Sequence, residues 1–246
     1  MIAEKVGSIH VERINIRIRL IIMLVSKIES QQKEGVEQNI MERIGILGGT
    51  FNPIHNSHLI IAEKVRKKFC LDMIIFLPTG KPPHKSYHII ENKEERYAML
   101  LLATNRNLHF FVSRIEIDRE GCTYTVDTLQ ELHGLYQMEH QFFYIIGADT
   151  LLEITTWKNI IDVFRQTEII CVYRPGVDKE CVQKQLDMIR LKYQKDIILA
   201  LIHGLNISST DIREKINKNE SIRKYVPSDV WWYIKKHNLY HEYKIK

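Results

Sequence analysis

One short run of the sequence crowds hydrogen-bond donors against small residues: Gly48-Gly49-Thr50-Phe51-Asn52-Pro53-Ile54-His55-Asn56-Ser57-His58. Two glycines let a chain turn tightly and approach a ligand closely, and a helix starting just beyond offers unpaired N–H groups to an anion. His55 and His58, three residues apart at such a start, place both rings on one face. Together with Thr50 they can donate several hydrogen bonds to phosphate oxygens. The glycines alone would fit an ordinary strand-to-helix turn equally well. Zinc also takes histidines, but it needs three or four ligands and no third lies at a convincing spacing, so no metal site built from protein ligands is expected.

A second run, Asn206-Ile207-Ser208-Ser209-Thr210-Asp211-Ile212-Arg213, combines hydroxyls suited to capping a helix with a permanently charged, planar fork for phosphate. Capping alone would explain the hydroxyls, and it is Arg213 that adds an anion function. Between the two runs, Pro78-Thr79-Gly80-Lys81-Pro82-Pro83-His84-Lys85 carries cations on a proline-stiffened loop. Thr125 stands where it could cap a helix. Gly147-Ala148-Asp149 closes an apolar run, which would set a carboxylate at a strand's carboxyl end, and Trp157 follows with a face for stacking a heterocycle or, equally, for packing a core.

GGTFNPIHNSH resembles the GxFxPxHxGH signature of the nucleotidyltransferase superfamily, relatives of the class I aminoacyl-tRNA synthetases, and ISSTDIR is similar to that superfamily's ISSTxIR motif. Ser57 stands where glycine is usual, and Asn52 where many members carry aspartate. With the lysine-bearing loop, the Gly121–Leu129 segment, Gly147-Ala148-Asp149 with Trp157, and Tyr173-Arg174-Pro175-Gly176, the set resembles the bacterial nicotinate-nucleotide adenylyltransferases over nearly all of residues 43–240. Glu153 departs from them, standing where an aromatic or apolar residue is common.

The resemblance implies adenylyl transfer from ATP to nicotinate mononucleotide, giving deamido-NAD and pyrophosphate. The nearest alternatives are a related adenylyltransferase using nicotinamide mononucleotide or phosphopantetheine, and a non-catalytic nucleotide-binding module. His55, His58 and Arg213 would be catalytic. Gly48, Gly49, Thr50, Phe51, Ser208, Ser209, Thr210 and Arg174 would meet ATP, while Lys81, His84, Lys85, Thr125, Asp149 and Trp157 would meet the acceptor. A phosphate nucleophile is already largely ionised at neutral pH, its second pKa being about 6. Alignment and charge neutralisation therefore replace a protein base. Mg2+ would arrive with the ATP, held by phosphates and water.

These residues need a scaffold that brings distant loops together. Strand patterns occur at Arg43 to Leu47, Met73 to Leu77, Leu108 to Val112, Phe142 to Ile146, Glu168 to Val172 and Ile197 to Leu201, most of them apolar on both faces. Helix patterns lie between and beyond them, at His58 to Phe69, Glu94 to Thr104, Thr125 to Tyr136, Trp157 to Phe164, Lys179 to Leu191, Thr210 to Asn217 and Pro227 to His237. Doubly apolar strands alternating with helices predict an α/β fold, a Rossmann-like doubly wound parallel sheet of the nucleotidyltransferase type. Ligands of such sheets bind beyond the carboxyl ends of the strands, where strand order reverses.

Composition narrows the class. With 45% apolar and 26% charged residues, the 246-residue chain can form a sizeable core and is not broadly disordered. A net charge of +5 is too small for a dedicated nucleic-acid binder and suits small anionic substrates. Four widely spaced cysteines exclude a disulfide scaffold and suggest reduced thiols in a cytoplasmic protein, and no apolar run is long enough to span a membrane. Trp231 and Trp232 suit either self-association as a homo-oligomer or coverage of a core.

Residues 1–40 contain six basic and five acidic side chains, leaving +4 of the charge on residues 41–246. The segment Ile14 to Val25 imitates a signal peptide, but Lys27 and Glu29 stand where small cleavage-site residues belong. Glu29 to Asn39 reads as a polar tether. Residues 1–40 are thus expected to be a poorly ordered appendage or a start-site artefact, and residues 41–246 the nucleotidyltransferase domain. A chain beginning at Met41 is expected to match the full chain in thermal unfolding and turnover; loss of either overturns this division.

Overall fold

The computed structural model describes residues 41–81, 92–136, 140–173, 178–202 and 204–241, so the 1–40 appendage lies outside the described residues. Six strands form one sheet: β1 (Glu42–Gly49), β2 (Met73–Pro78), β3 (Phe110–Val112), β4 (His140–Gly147), β5 (Glu168–Tyr173) and β6 (Ile198–Leu201). Their order is β3-β2-β1-β4-β5-β6 and every pairing is parallel. Strand order therefore reverses between β1 and β4, which pair from Glu42 opposite His140 to Leu47 opposite Ile145. The carboxyl ends of these two central strands open a crevice, the position at which doubly wound sheets bind ligands.

The helices are α1 (Asn56–Lys68), α2 (Lys93–Thr104), α3 (Ile115–Asp118), α4 (Thr125–Leu135), α5 (Ala148–Glu153), α6 (Ile160–Gln166), α7 (Lys179–Tyr193), α8 (Ser209–Asn217) and α9 (Ser228–Lys236). Strand side chains alternate between two apolar clusters, one on each face of the sheet. Leu47, Phe76, Phe143 and Val172 pack with α1, α2, α8 and α9, while Ile44, Ile46, Phe142 and Tyr144 pack with α4, α5, α6 and α7. Burial on both faces is why these strands read as continuous apolar runs. No helix among the described residues is long and apolar enough to cross a membrane.

The structure departs from the pattern-based expectations where elements are short or lie at the edge. β6 is an edge strand whose Leu199 and Leu201 are 45% and 56% exposed, so its apolar residues are not all core. β3 begins at Phe110 and leaves Leu108 exposed. The expected helix from Trp157 starts only at Ile160, because Asn159 adopts a left-handed conformation (φ 50°) that asparagine tolerates and that interrupts a helix. Upstream, the six-residue α5 and a single 3-10 turn at Ile154–Thr156 are too short to show a period. Asp149 consequently sits in the first turn of α5 rather than at the end of β4. Trp231 packs against the core, whereas Trp232 is 58% exposed.

Candidate active site

A cleft of about 770 Å3 opens over the carboxyl ends of β1 and β4, within the size range of small-molecule sites. Its first wall is the β1–α1 turn. Gly48, Gly49, Thr50, His55 and His58 all line it. His55 is the N-cap of α1 and His58 its third residue; His58 Nδ1 accepts the His55 main-chain N–H at 3.3 Å, a local bond that fixes the ring at the helix start. The two imidazoles stack with centroids 3.7 Å apart, so the spacing does bring both rings to one place.

Phe51 stands outside the cleft lining. Its φ is 48°, and its ring lies in the core, where it is 3% exposed and meets His58 edge-on at 5.1 Å and Phe76 at 5.9 Å. The Phe51 ring thus supports His58 from behind. The same ring lies 3.2 Å from where a Cβ on Gly49 would be, and the Tyr144 hydroxyl fills the space a Cβ on Gly48 would need. A side chain at position 48 would collide with the Tyr144 hydroxyl, and one at position 49 would crowd the Phe51 ring.

The second wall is the start of α8. Ser208 caps this helix: its hydroxyl accepts the Asp211 N–H at 3.1 Å, and its own N–H donates to Asp211 Oδ2 at 2.7 Å. The Ser208 hydroxyl also donates to Asp211 Oδ2 at 2.7 Å, and this bond together with that from the Ser208 N–H holds the Asp211 carboxyl below the usual carboxylate range. The capping role falls to Ser208 rather than Thr210. Ser208 and Ser209 line the cleft, while Thr210 and Arg213 stand outside its lining. Arg213 spans the two motifs, with Nη1 donating to the Asn52 carbonyl at 2.7 Å and Nη2 to Thr210 Oγ1 at 3.2 Å. Ser209 adds a second link, its hydroxyl donating to the Pro53 carbonyl at 2.8 Å.

The opposite side of the cleft is built from β4, α5 and the Thr123–Thr125 segment. Thr125, Asp149 and Trp157 all line it, as expected. Thr125 is the first residue of α4, after Tyr124 as N-cap, and so is not itself the cap. Trp157 meets Tyr144 edge-on at 5.7 Å, which gives the indole both a packing role and an exposed part in the cleft. Glu153 also lines this wall. Lys81 is exposed and outside the lining; His84, Lys85 and Arg174 lie outside the described residues.

Several groups at the cleft carried no sequence signal. Lys158 lines it, paired with Asp127 at 3.2 Å and 4.5 Å from the Tyr124 ring centroid. Glu116 lines it from α3, buried, with the Thr128 hydroxyl donating to Oε1 at 2.9 Å; burial pushes its carboxyl above the usual range, opposed by Thr128 and Arg119. Arg96 is the most consequential. Only 1% exposed, it projects from α2 beneath the cleft, donating from Nη1 to the Thr50 carbonyl and from Nη2 to the Thr79 carbonyl, both at 2.7 Å, and to Gly80 at 3.3 Å. One guanidinium thus joins the loops that follow β1 and β2. A sequence reading sees an arginine in an EERYAML helix and has no cue to its burial.

Among the described residues no group of three or more histidines, cysteines or acidic residues is placed to hold a metal ion. The chain matches the cytidylyltransferase-like family over residues 46–215. It is 45% identical over 198 residues to a probable nicotinate-nucleotide adenylyltransferase of Thermoanaerobacter sp. (strain X514), covering 80% of this chain and 94% of that one. It is 43% identical to the protein of the same description from Moorella thermoacetica, at 80% and 91% coverage. Among solved structures, Plasmodium falciparum nicotinic acid mononucleotide adenylyltransferase complexed with NaAD matches with a TM-score of 0.66 and 23% identity over 81% of this chain and 97% of that one, a likeness of fold.

Replacing Arg96 by methionine leaves three main-chain carbonyls without their donor. Arg96→Met is expected to lower stability by about 3 kcal/mol in urea unfolding. A midpoint equal to that of the parent chain contradicts the role given to this residue.

Proposed function

The chain belongs to the nicotinate-nucleotide adenylyltransferases, within the cytidylyltransferase-like family, and on that premise we propose which residues receive each substrate. It transfers the adenylyl group of ATP to nicotinate mononucleotide, giving deamido-NAD and pyrophosphate, a step of NAD biosynthesis. The observation that carries the assignment of residues is a single cleft in which His55 and His58 face one side and Thr125, Asp149 and Trp157 another.

In this reading ATP lies along the β1–α1 turn and the start of α8. Gly48, Gly49 and Thr50 let the triphosphate approach the main chain, and the imidazoles of His55 and His58 donate to its oxygens. Ser208, Ser209 and Thr210 offer hydroxyl or main-chain donors from the α8 start. Arg213 and Arg174 add positive charge. Nicotinate mononucleotide enters from the β4 side, its ring against Trp157, its ring substituent toward Thr125, its ribose hydroxyls toward Asp149. Lys81, His84 and Lys85 attract its phosphate.

An oxygen of that phosphate then attacks the α-phosphorus of ATP. The bond from the α-phosphorus to the bridging oxygen breaks as the new one forms, and pyrophosphate departs with the electron pair. No protein group need accept a proton, since the nucleophile is already ionised. The chain's contribution is alignment, together with donors aimed at charge that grows on the α- and β-phosphates. A divalent metal accompanies ATP in this family's chemistry, and we take it to be Mg2+. The donors around the phosphate site are imidazoles, hydroxyls and main-chain N–H groups, which fit an ion held by phosphates and water rather than by the protein. When bound it would neutralise triphosphate charge.

We place the enzyme in the cytoplasm, where its four free thiols stay reduced, and assign the activity to residues 41–246. Pyrophosphate release measured in parallel with nicotinate mononucleotide, nicotinamide mononucleotide and phosphopantetheine is expected to favour the first; equal rates overturn the acceptor assignment. His58→Ala is expected to lower kcat about a hundredfold. It should lower stability by only about 1 kcal/mol, the value of a local cap. Unchanged turnover removes His58 from the chemistry.

A further inference from the structure

Lys158 is the only lysine or arginine among the described residues that line the cleft. It belongs to the side assigned above to the nicotinate ring. It follows Trp157 in the chain, and its ammonium stands 4.5 Å from the ring centroid of Tyr124, the neighbour of Thr125. Trp157, Tyr124 and Thr125 all line the cleft, so the charge sits among the groups given to the ring and its substituent. Asp127, outside the lining, meets Nζ at 3.2 Å, and the two side chains of that pair are 45% and 43% exposed. Asp149 and Glu153 put carboxylates on the same side of the cleft.

We propose that Lys158 is a specificity-determining residue that favours the acid acceptor over the amide, its ammonium attracting the carboxylate of the nicotinate ring. The inference deepens the acceptor assignment and rests on it. The two acceptors share a pyridinium ring, a ribose and a phosphate, and differ only in a carboxylate against a carboxamide. A cation at that substituent separates them where contacts to the shared parts cannot. A carboxylate accepts a charge-assisted hydrogen bond, roughly twice as strong as the bond a neutral amide oxygen accepts from a neutral donor, and it adds a full charge for the ammonium to attract. Without Lys158 the charged side chains left on that wall are carboxylates, Asp149 and Glu153 among them, and like charge would turn the wall toward the amide. The pair with Asp127 does not exhaust the lysine. An ammonium carries three donors, and Asp127 takes at most two, at 3.2 Å to Oδ2 and 3.5 Å to Oδ1.

Lys158→Met removes the charge and keeps an unbranched stem beside Tyr124. It is expected to raise KM for nicotinate mononucleotide about fivefold, the effect of one partly exposed ion pair. KM for nicotinamide mononucleotide, KM for ATP and the thermal midpoint should stay those of the parent. The ratio of kcat/KM for the acid to that for the amide then falls by the same factor, and Lys158→Arg should restore most of it. In the parent this ratio should also fall as salt rises, because the phosphate is common to both acceptors and only the ring substituent differs in charge. Asp127→Asn breaks the ion pair but leaves the ammonium, so the ratio should hold or rise. Three results overturn the proposal: equal rises in KM for both acceptors, a ratio that does not respond to salt, or a fall in Asp127→Asn as large as that in Lys158→Met. The last would mean that the pair only joins α4 to the segment after Trp157. A parent chain without preference for nicotinate mononucleotide overturns the acceptor assignment along with this role, whereas a preference that survives Lys158→Met intact overturns this role alone.

Discussion

The guanidinium of Arg96 holds together the two loops on which the cleft depends. β1 and β2 are neighbours in the sheet, but their registered pairing ends at Gly49 opposite Pro78, just before the loops diverge. Beyond that point their separation is no longer set by the ladder. Arg96 restores the constraint from below, bonding Thr50 on one side and Thr79 and Gly80 on the other. The Thr79 N–H donates to the Gly49 carbonyl at 2.9 Å, so the loops are fastened to each other as well as to the arginine. A buried charge is costly unless its donors are used, and here they are spent on main-chain carbonyls.

The same logic joins the β1–α1 turn and the start of α8 across the other half of the sheet. Arg213 and Ser209 belong to α8, which follows β6 at the sheet's edge, while Asn52 and Pro53 follow β1 at its centre. These side-chain bonds to main-chain carbonyls set where the start of α8 stands relative to the histidines. Asn56 ties the turn to the last part of the fold as well, its N–H donating to the Tyr225 carbonyl at 2.8 Å. The β1–α1 turn is thus held by segments from across the chain. Such redundancy suits a reaction whose acceleration comes chiefly from alignment.

Much of this was legible beforehand, and the parts that were not have physical reasons. The six strands and the long helices announced themselves because strands covered on both faces are apolar throughout and helices of three turns show a period. α5 and the turn after it are too short for either signal, so Asp149 was placed at a strand end instead of in a helix's first turn. The place of the Phe51 ring could not be read beforehand because a motif gives residue types without backbone angles; the residue has a positive φ and its ring lies in the core.

What the sequence determined by itself was local chemistry and its order: donors beside glycines after the first strand, a capped helix carrying an arginine after the last, and an α/β alternation that brings both to one end of a sheet. It could determine these because each depends on residues within one turn or one strand of each other. Tertiary structure alone decided which groups meet across the chain. That Arg96 is buried under two loops, that Tyr144 places its hydroxyl over Gly48, and that Arg213 reaches Asn52 follow from packing among elements tens of residues apart. No spacing rule relates such positions, and only the folded sheet fixes their distances.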